Sequence, residues 1–157
     1  IDAAIYSFMP DEPNLKHVHL FTCHFRLFAS QSYIDEFGMP QTVGDLDQHR
    51  LIITGESQRI FKILEWYQII GIDDGRMREP FLRVNSLYYA AMKNLGIVPL
   101  ALENPDLKNS QLVPILPELV GPELDIYFIY PKHLESSTRI KSLLTYLEKR
   151  AVKMREG

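Results

Sequence analysis

Three histidines, His17, His19 and His24, fall close together near the start of the chain, and Cys23 stands beside the last of them. Neutral imidazoles and a thiolate are ligands that zinc prefers, so this cluster is the first place where chemistry is conceivable. Its spacing argues against a metal. His17 and His19 alternate along a β-type run, which puts both on one strand face and reads as a solvated face. Cys23 and His24 are adjacent and point to opposite faces, which separates the thiol from the imidazole and rules against a nucleophile–base pair. Glu65, Asp73 and Asp74 make neither a metal loop nor a catalytic carboxylate pair. Trp66 with Tyr67 could stack on an aromatic ligand, yet they close a β-type run and are better assigned to packing, as are Tyr127, Phe128 and Tyr130. No G-x-S-x-G, H-E-x-x-H, phosphate-binding loop or dinucleotide fingerprint occurs. No catalytic residue, metal or cofactor is expected.

One further position stands out. Ser86 reads as the N-cap of a helix, whose free N–H groups and partial positive charge suit an anion. The plain reading, a serine that caps and does nothing else, stands beside it.

The elements that must position these residues follow from composition and punctuation. The chain has 157 residues, 46% of them hydrophobic and 24% charged, which suits one folded domain or two small lobes and excludes a disordered segment. Seventeen cations against twenty carboxylates leave a net charge of −3, so this chain has no electrostatic reason to bind nucleic acid itself. A single cysteine excludes an internal disulfide. No apolar run approaches the ~18–20 residues of a membrane span, and no secretory signal opens the chain. Its first residues, Ile-Asp-Ala-Ala-Ile, already read as a strand without an initiator Met, so the chain is expected to be a piece of something longer.

Turn signals at Met9–Asn14, Gly38–Pro40, Asp73–Gly75 and Glu103–Asp106 separate short β-type runs. These are Ala3–Phe8, Val18–Thr22, Phe25–Ala29, Leu51–Thr54, Ile60–Tyr67, Phe81–Val84, Ile97–Leu100, Leu112–Leu116 and Ile126–Tyr130. Several are continuously apolar, as strands covered on both faces must be. Helices are expected at Ser32–Phe37, at Val43–Gln48, from Ser86 to Gly96, and after Ser137-Thr138. The last carries Ile140, Leu143, Leu144, Leu147 and Ala151 on one face, with Lys149, Arg150 and Lys153 in its final turns. Strands alternating with helices predict an α/β fold.

Several short motifs then occur in a recognisable order. They are Asp2-Ala3-Ala4-Ile5, the stretch from Phe25 to Ile34 around Ala29-Ser30, Gly38-Met39-Pro40, Asp45-Leu46, and His49-Arg50-Leu51. Val84-Asn85, Ala90-Ala91, Leu95-Gly96-Ile97, Leu112–Pro117, Tyr130-Pro131 and the closing helix continue the series. In this order the chain resembles the effector-binding domain of LysR-type bacterial transcriptional regulators. It departs from the family pattern at Gln31, where proline is usual, and at Asn94 and Ser110, where glycine is usual.

The resemblance implies a periplasmic-binding-protein-like (type 2) α/β fold. Two lobes are joined by two crossover strands, with lobe I incomplete at its N-terminal side. Residues 1–20 would belong to lobe I, 21–26 to the first crossover, 27–119 to lobe II, and 120–157 to the return strand and a helix packing on lobe I. Thr22, Cys23, His24, Phe25, Ile126 and Tyr127 would form the hinge. A ligand in the cleft between lobes would be held by loops at strand ends and helix N-termini: Ser7, Phe8 and Met9; Thr54, Gly55, Glu56 and Ser57; and Asn85 with Ser86. Small organic acids are the implied effectors. The domain would dimerise within a cytoplasmic, non-membrane parent that is often tetrameric, with DNA bound through a separate N-terminal winged helix-turn-helix. Two alternatives remain: a solute-binding component of a transport system, which shares the fold, and a small α/β hydrolase or transferase, which lacks a nucleophile–base constellation here.

Overall fold

From Leu15 to Ser30 the sequence has no glycine or proline, and Val18, Phe21, Thr22, Phe25 and Phe28 favour extended backbone. A computed structural model of the chain, which describes residues 3–6, 11–52, 66 and 86–156, shows a single 16-residue strand there, β2 (Leu15–Ser30). The two runs expected at Val18–Thr22 and Phe25–Ala29 are therefore one element. The polar Cys23-His24 step breaks the apolar pattern but not the strand, because both backbone groups of His24 find partners. Its N–H donates to the Glu103 carboxylate at 2.7 Å, and its carbonyl accepts from Leu102 N–H at 2.8 Å.

The chain divides into two units, one comprising Ile1–Cys23 with Glu123–Gly157 and the other His24–Pro122. In the second unit, β3 (Val98–Ala101) pairs antiparallel with β2 from Phe25↔Ala101 to Phe28↔Val98. On the other side β4 (Leu112–Ile115) pairs with it from Leu27↔Ile115 to Ser30↔Leu112. Leu27, Phe28 and Ala29 are all buried, so both faces of β2 are covered here. Their period of two sends Leu27 and Ala29 into one layer with Tyr33, Ile34, Leu46, Trp66, Ile97 and Ile115. Phe28 goes to the opposite layer, with Ile52, Ala90, Ala91, Val98 and Leu100. Helix α1 (Gln31–Phe37) supplies Tyr33 and Ile34 to the first layer, and α2 (Leu87–Met92) supplies Ala90 and Ala91 to the second. Pro99 and Pro114 lie on β3 and β4, the outer strands of this group among the described residues, where a missing N–H breaks no second ladder.

Two expectations are corrected in this unit. Trp66, placed in a β-type run at Ile60–Tyr67, is helical and buried, because an apolar stretch of that length fits a buried helix as well as a strand. The helix after Ser86 ends at Met92, not at Gly96. The chain reverses at Asn94, whose φ of 63° is left-handed backbone that Asn tolerates better than most residues, and the Ser30 hydroxyl donates to its Oδ1. Gly96 serves proximity instead. The parallel bridge Leu51↔Ile97 brings Arg50 alongside, and a Cβ at Gly96 would lie 2.5 Å from the Arg50 carbonyl oxygen.

The other departures from the motif pattern have local accounts. Gln31 opens α1 without the pre-set torsion of proline but donates to Asp35 at 2.8 Å one turn on. Ser110 has φ −85°, which any residue adopts, and its hydroxyl donates to Leu107 O at 3.0 Å. Ser30 caps α1 by accepting from Tyr33 N–H at 3.0 Å. The buried Tyr33 hydroxyl meets His49 Nδ1 at 2.8 Å and accepts from Arg50 N–H at 3.2 Å.

Between them lies the 3-10 helix Val43–Gln48, at its expected place, closed by a reciprocal cap. Thr42 Oγ1 accepts from Asp45 N–H at 3.3 Å, while Asp45 Oδ2 accepts from Thr42 N–H at 3.0 Å and Gln41 N–H at 2.8 Å. Those two backbone donors hold the Asp45 carboxyl below its ordinary value of 3.8. A folded-state pKa below the unfolded one gives stability that is complete above the unfolded value and is lost as pH falls through the folded value. Asp45→Asn, which cannot titrate, should therefore show a flatter acid limb than the native chain below about pH 4 in urea unfolding. Parallel limbs would contradict this role for the cap.

In the first unit, β1 (Ala4–Tyr6) pairs antiparallel with β5 (Glu123–Pro131) from Ala4↔Ile129 to Tyr6↔Tyr127, and β5 lies between β1 and β2 in the sheet order. Leu124, Ile126, Phe128 and Tyr130 alternate along β5 and are buried. Helix α3 (Thr138–Glu156) opens where Ser137 Oγ accepts from Ile140 N–H at 3.5 Å. Ile140 and Ala151 are buried and Leu144 and Leu147 half-buried. Leu143, expected on that face, is 41% exposed, because at 100° per residue it lies about 60° off the line through Ile140.

Candidate functional site

Ser86 is the one residue of the expected ligand set within the described residues. Ser7, Phe8, Met9, Thr54, Gly55, Glu56, Ser57 and Asn85 lie outside them. Ser86 has extended backbone, with φ −140° and ψ 116°, and is half-buried. Its Oγ accepts from Tyr89 N–H at 3.3 Å, the bond of an N-cap. The hydroxyl hydrogen is not used in that bond, so a capping Ser86 can still donate to a ligand oxygen.

The six residues expected to form the hinge are all described. Four lie consecutively on β2 and two on β5, and the division into units falls between Cys23 and His24 and between Pro122 and Glu123. Each unit carries a polar cluster next to that division. In the first, Thr22 donates to Asp125 Oδ1 at 2.6 Å, and His19 Nε2 lies 3.1 Å from Thr22 Oγ1 and 3.2 Å from Asp125 Oδ1. The His19 ring meets Tyr127 edge-on at 5.5 Å. In the second, His24 donates to Glu103 from both its backbone N–H and its ring Nδ1, and Glu103 is a nearly buried carboxylate. Phe25 N–H donates to Pro122 O at 3.1 Å, fastening the two ends of the second unit to each other. The packing around Gly121 is so close that an added Cβ would collide with the Phe25 carbonyl oxygen. Nothing in the sequence singles out Glu103 or Asp125, because each partner histidine is separated from it by most of a domain.

Two of the three clustered histidines are thus held by carboxylates of their own units. His19 and His24 bond to Asp125 and Glu103, and among the described residues no three His, Cys, Asp or Glu side chains are grouped to hold a metal. Lys16 and Glu135 form an exposed pair at 2.7 Å that raises the lysine pKa and lowers that of the carboxylate. An exposed pair of this kind contributes little to stability. Among the described residues no helix is long and apolar enough to cross a membrane.

Known proteins give this geometry its context. The chain is similar in structure to the regulatory domain of CrgA, a LysR-type transcriptional regulator from Neisseria meningitidis. The TM-score is 0.76 and the identity 23%, over 96% of this chain and 76% of that one. Against the longer CrgA structure the same fit covers 52% of the relative, so this chain spans about half of that regulator. A variant regulatory domain of AphB from Vibrio vulnificus matches with TM-score 0.65 and 19% identity, over 93% of this chain and 77% of that one. At such identities the likeness is one of fold, the periplasmic-binding-protein-like type 2 α/β fold. No curated protein matches. The family model described as the LysR substrate binding domain matches residues 1–152, nearly the whole chain. The chain belongs to the LysR substrate-binding domain family of transcriptional regulators.

Proposed function

We propose that this chain is the effector sensor of a LysR-type regulator, binding a small organic acid and passing the resulting change to a DNA-binding winged helix-turn-helix elsewhere in the protein. The observation that carries the reading is the family match over residues 1–152. The chain itself performs no catalysis in this reading, needs no metal or cofactor, and works in the cytoplasm as a dimer within a larger, tetrameric regulator.

The effector is held by Ser7, Phe8 and Met9, by Thr54, Gly55, Glu56 and Ser57, and by Asn85 and Ser86, as the family resemblance implies. The α2 cap supports the last of these. An organic carboxylate at Ser86 would receive the free hydroxyl hydrogen and sit at the positive end of the helix. Thr22, Cys23, His24, Phe25, Ile126 and Tyr127 act as the hinge. Ligand occupancy then selects one arrangement of the units from those the hinge allows.

Calorimetric titration of the full-length protein with a panel of small organic acids and amino acids tests the proposal. One member should give saturable heat at one ligand per chain. Ser86→Gly keeps helix capping to within a few tenths of a kcal/mol while removing the hydroxyl. It should weaken that ligand about tenfold or more, the worth of a hydrogen bond to a charged group. Unchanged affinity in Ser86→Gly would reduce Ser86 to a cap. Turnover of a panel member would overturn the sensor reading.

A further inference from the structure

The turn after β3 has its side chains the wrong way round. In Ala101–Asn104, closed by Asn104 N–H on Ala101 O at 3.0 Å, Leu102 stands 49% exposed while the Glu103 side chain is only 9% exposed. Carboxylates are almost never buried unless paired, and a buried ionised one must be compensated by hydrogen bonds. His24 provides them. Its backbone N–H donates to Oε1 at 2.7 Å and to Oε2 at 3.2 Å, and its ring Nδ1 donates to the same Oε1. A local preference overridden in this way is expected where a residue serves function rather than folding.

The place of this bond matters as much as its chemistry. Along β2, Phe25 to Phe28 are held by the β3 ladder, and Phe25 N–H reaches Pro122 O. His24 stands one residue before that ladder, and the division of the chain into units falls between it and Cys23. Its N–H is received by a side chain rather than by a strand carbonyl, so a single carboxylate fixes the first β2 residue of this unit. Two residues earlier, on the other side of the division, Thr22 donates to Asp125 at 2.6 Å. Each unit therefore grips β2 by a carboxylate, one residue to either side of Cys23. Bending that keeps both bonds uses only the torsions between Thr22 and His24.

We propose that Glu103 is a positioning residue that latches β2 at His24 and so confines bending of the strand to the step from Thr22 to His24. This narrows the hinge of the proposed function, and it rests on that reading. A latch of this kind limits the arrangements from which a ligand selects. Without it, the bend spreads into His24 and Phe25, and the units sample a broader range.

The test uses the full-length protein and two substitutions. Glu103→Met keeps most of the volume and removes the carboxylate acceptor, whereas Glu103→Gln keeps an oxygen for the His24 donors. Amide hydrogen exchange at His24 should quicken at least about tenfold in Glu103→Met, the equivalent of a hydrogen bond to a charged group. Exchange at Ile97, whose N–H donates to Arg50 O at 2.8 Å, should stay within about twofold, which separates the latch from general loosening. Energy transfer between a dye at Gln41 in one unit and a dye at Glu148 in the other, both exposed positions, reads the spread of distances between the units. That spread should widen in Glu103→Met and return close to the native width in Glu103→Gln. Faster exchange at His24 with an unchanged spread would make Glu103 a local cap and overturn the proposal. So would unchanged exchange at His24 in Glu103→Met, or a spread as wide in Glu103→Gln as in Glu103→Met. If no acid of the calorimetric panel binds the native protein, the effector reading fails, while the exchange and the spread still decide the latch.

Discussion

Phe128→Ala should lower the stability of the chain by about 3–5 kcal/mol, the range for removing a fully buried phenyl ring. Phe128 is 1% exposed at the centre of β5, opposite Ile5 on β1, with its ring 5.6 Å from that of Tyr130. Its neighbours on the buried side of β5, Leu124, Ile126 and Tyr130, are held by the strand and cannot collapse into the space it would leave. The cost therefore combines lost transfer energy with a cavity. Phe128→Leu, which keeps most of the volume, should cost much less. Chemical denaturation with tryptophan emission as readout checks both, and a loss below about 1 kcal/mol for alanine would contradict the packing described.

Gly121→Ala should act by crowding rather than by a void. The new methyl would collide with the carbonyl oxygen of Phe25, 3.0 Å from its carbonyl carbon and 3.2 Å from the Trp66 ring. Phe25 is fixed in the β2–β3 ladder opposite Ala101, and its N–H is already bonded to Pro122. With backbone on one side and a buried indole on the other, the neighbours have little room to give, and a cost of about 1–3 kcal/mol follows. Gly38 makes the useful contrast. Its φ is 89° with nothing within 4 Å of an added Cβ, so Gly38→Ala strains a torsion without any collision. If Gly121→Ala melted like the native chain, the close approach at Phe25 would be refuted.

Local signals in the sequence reached some elements and missed others for identifiable reasons. The 3-10 helix at Val43–Gln48 stands where it was expected, and its reciprocal Thr42–Asp45 cap lies within four residues, a local signal. The end of α2 was not legible, since Gly96 resembles a helix stop while the turn is made by Asn94, steadied by a Ser30 that is remote in sequence. The continuity of β2 depends on Glu103 and Leu102 meeting His24, which no local window contains. Leu143 looked core-facing by apolarity alone, and only the rotation of α3 exposes it. The candidate site was less legible than the fold. Ser86 could be placed as a cap by its capping preference, whereas the expected hinge residues rest on their order along the motifs alone. The acidic partners of His19 and His24 lie far along the chain, so composition and spacing gave them no distinction.

In the proposed function, ligand binding by this domain is coupled to DNA binding by the regulator to which it belongs. The most direct measurement is the affinity of the full-length protein for its own promoter DNA, with and without a saturating amount of the ligand identified by calorimetry. Coupling requires the two affinities to differ, by roughly 5–150-fold if it is of ordinary strength. By reciprocity, promoter DNA must change the ligand affinity by the same factor. Promoter affinity and footprint that stay the same at full ligand occupancy would contradict the account.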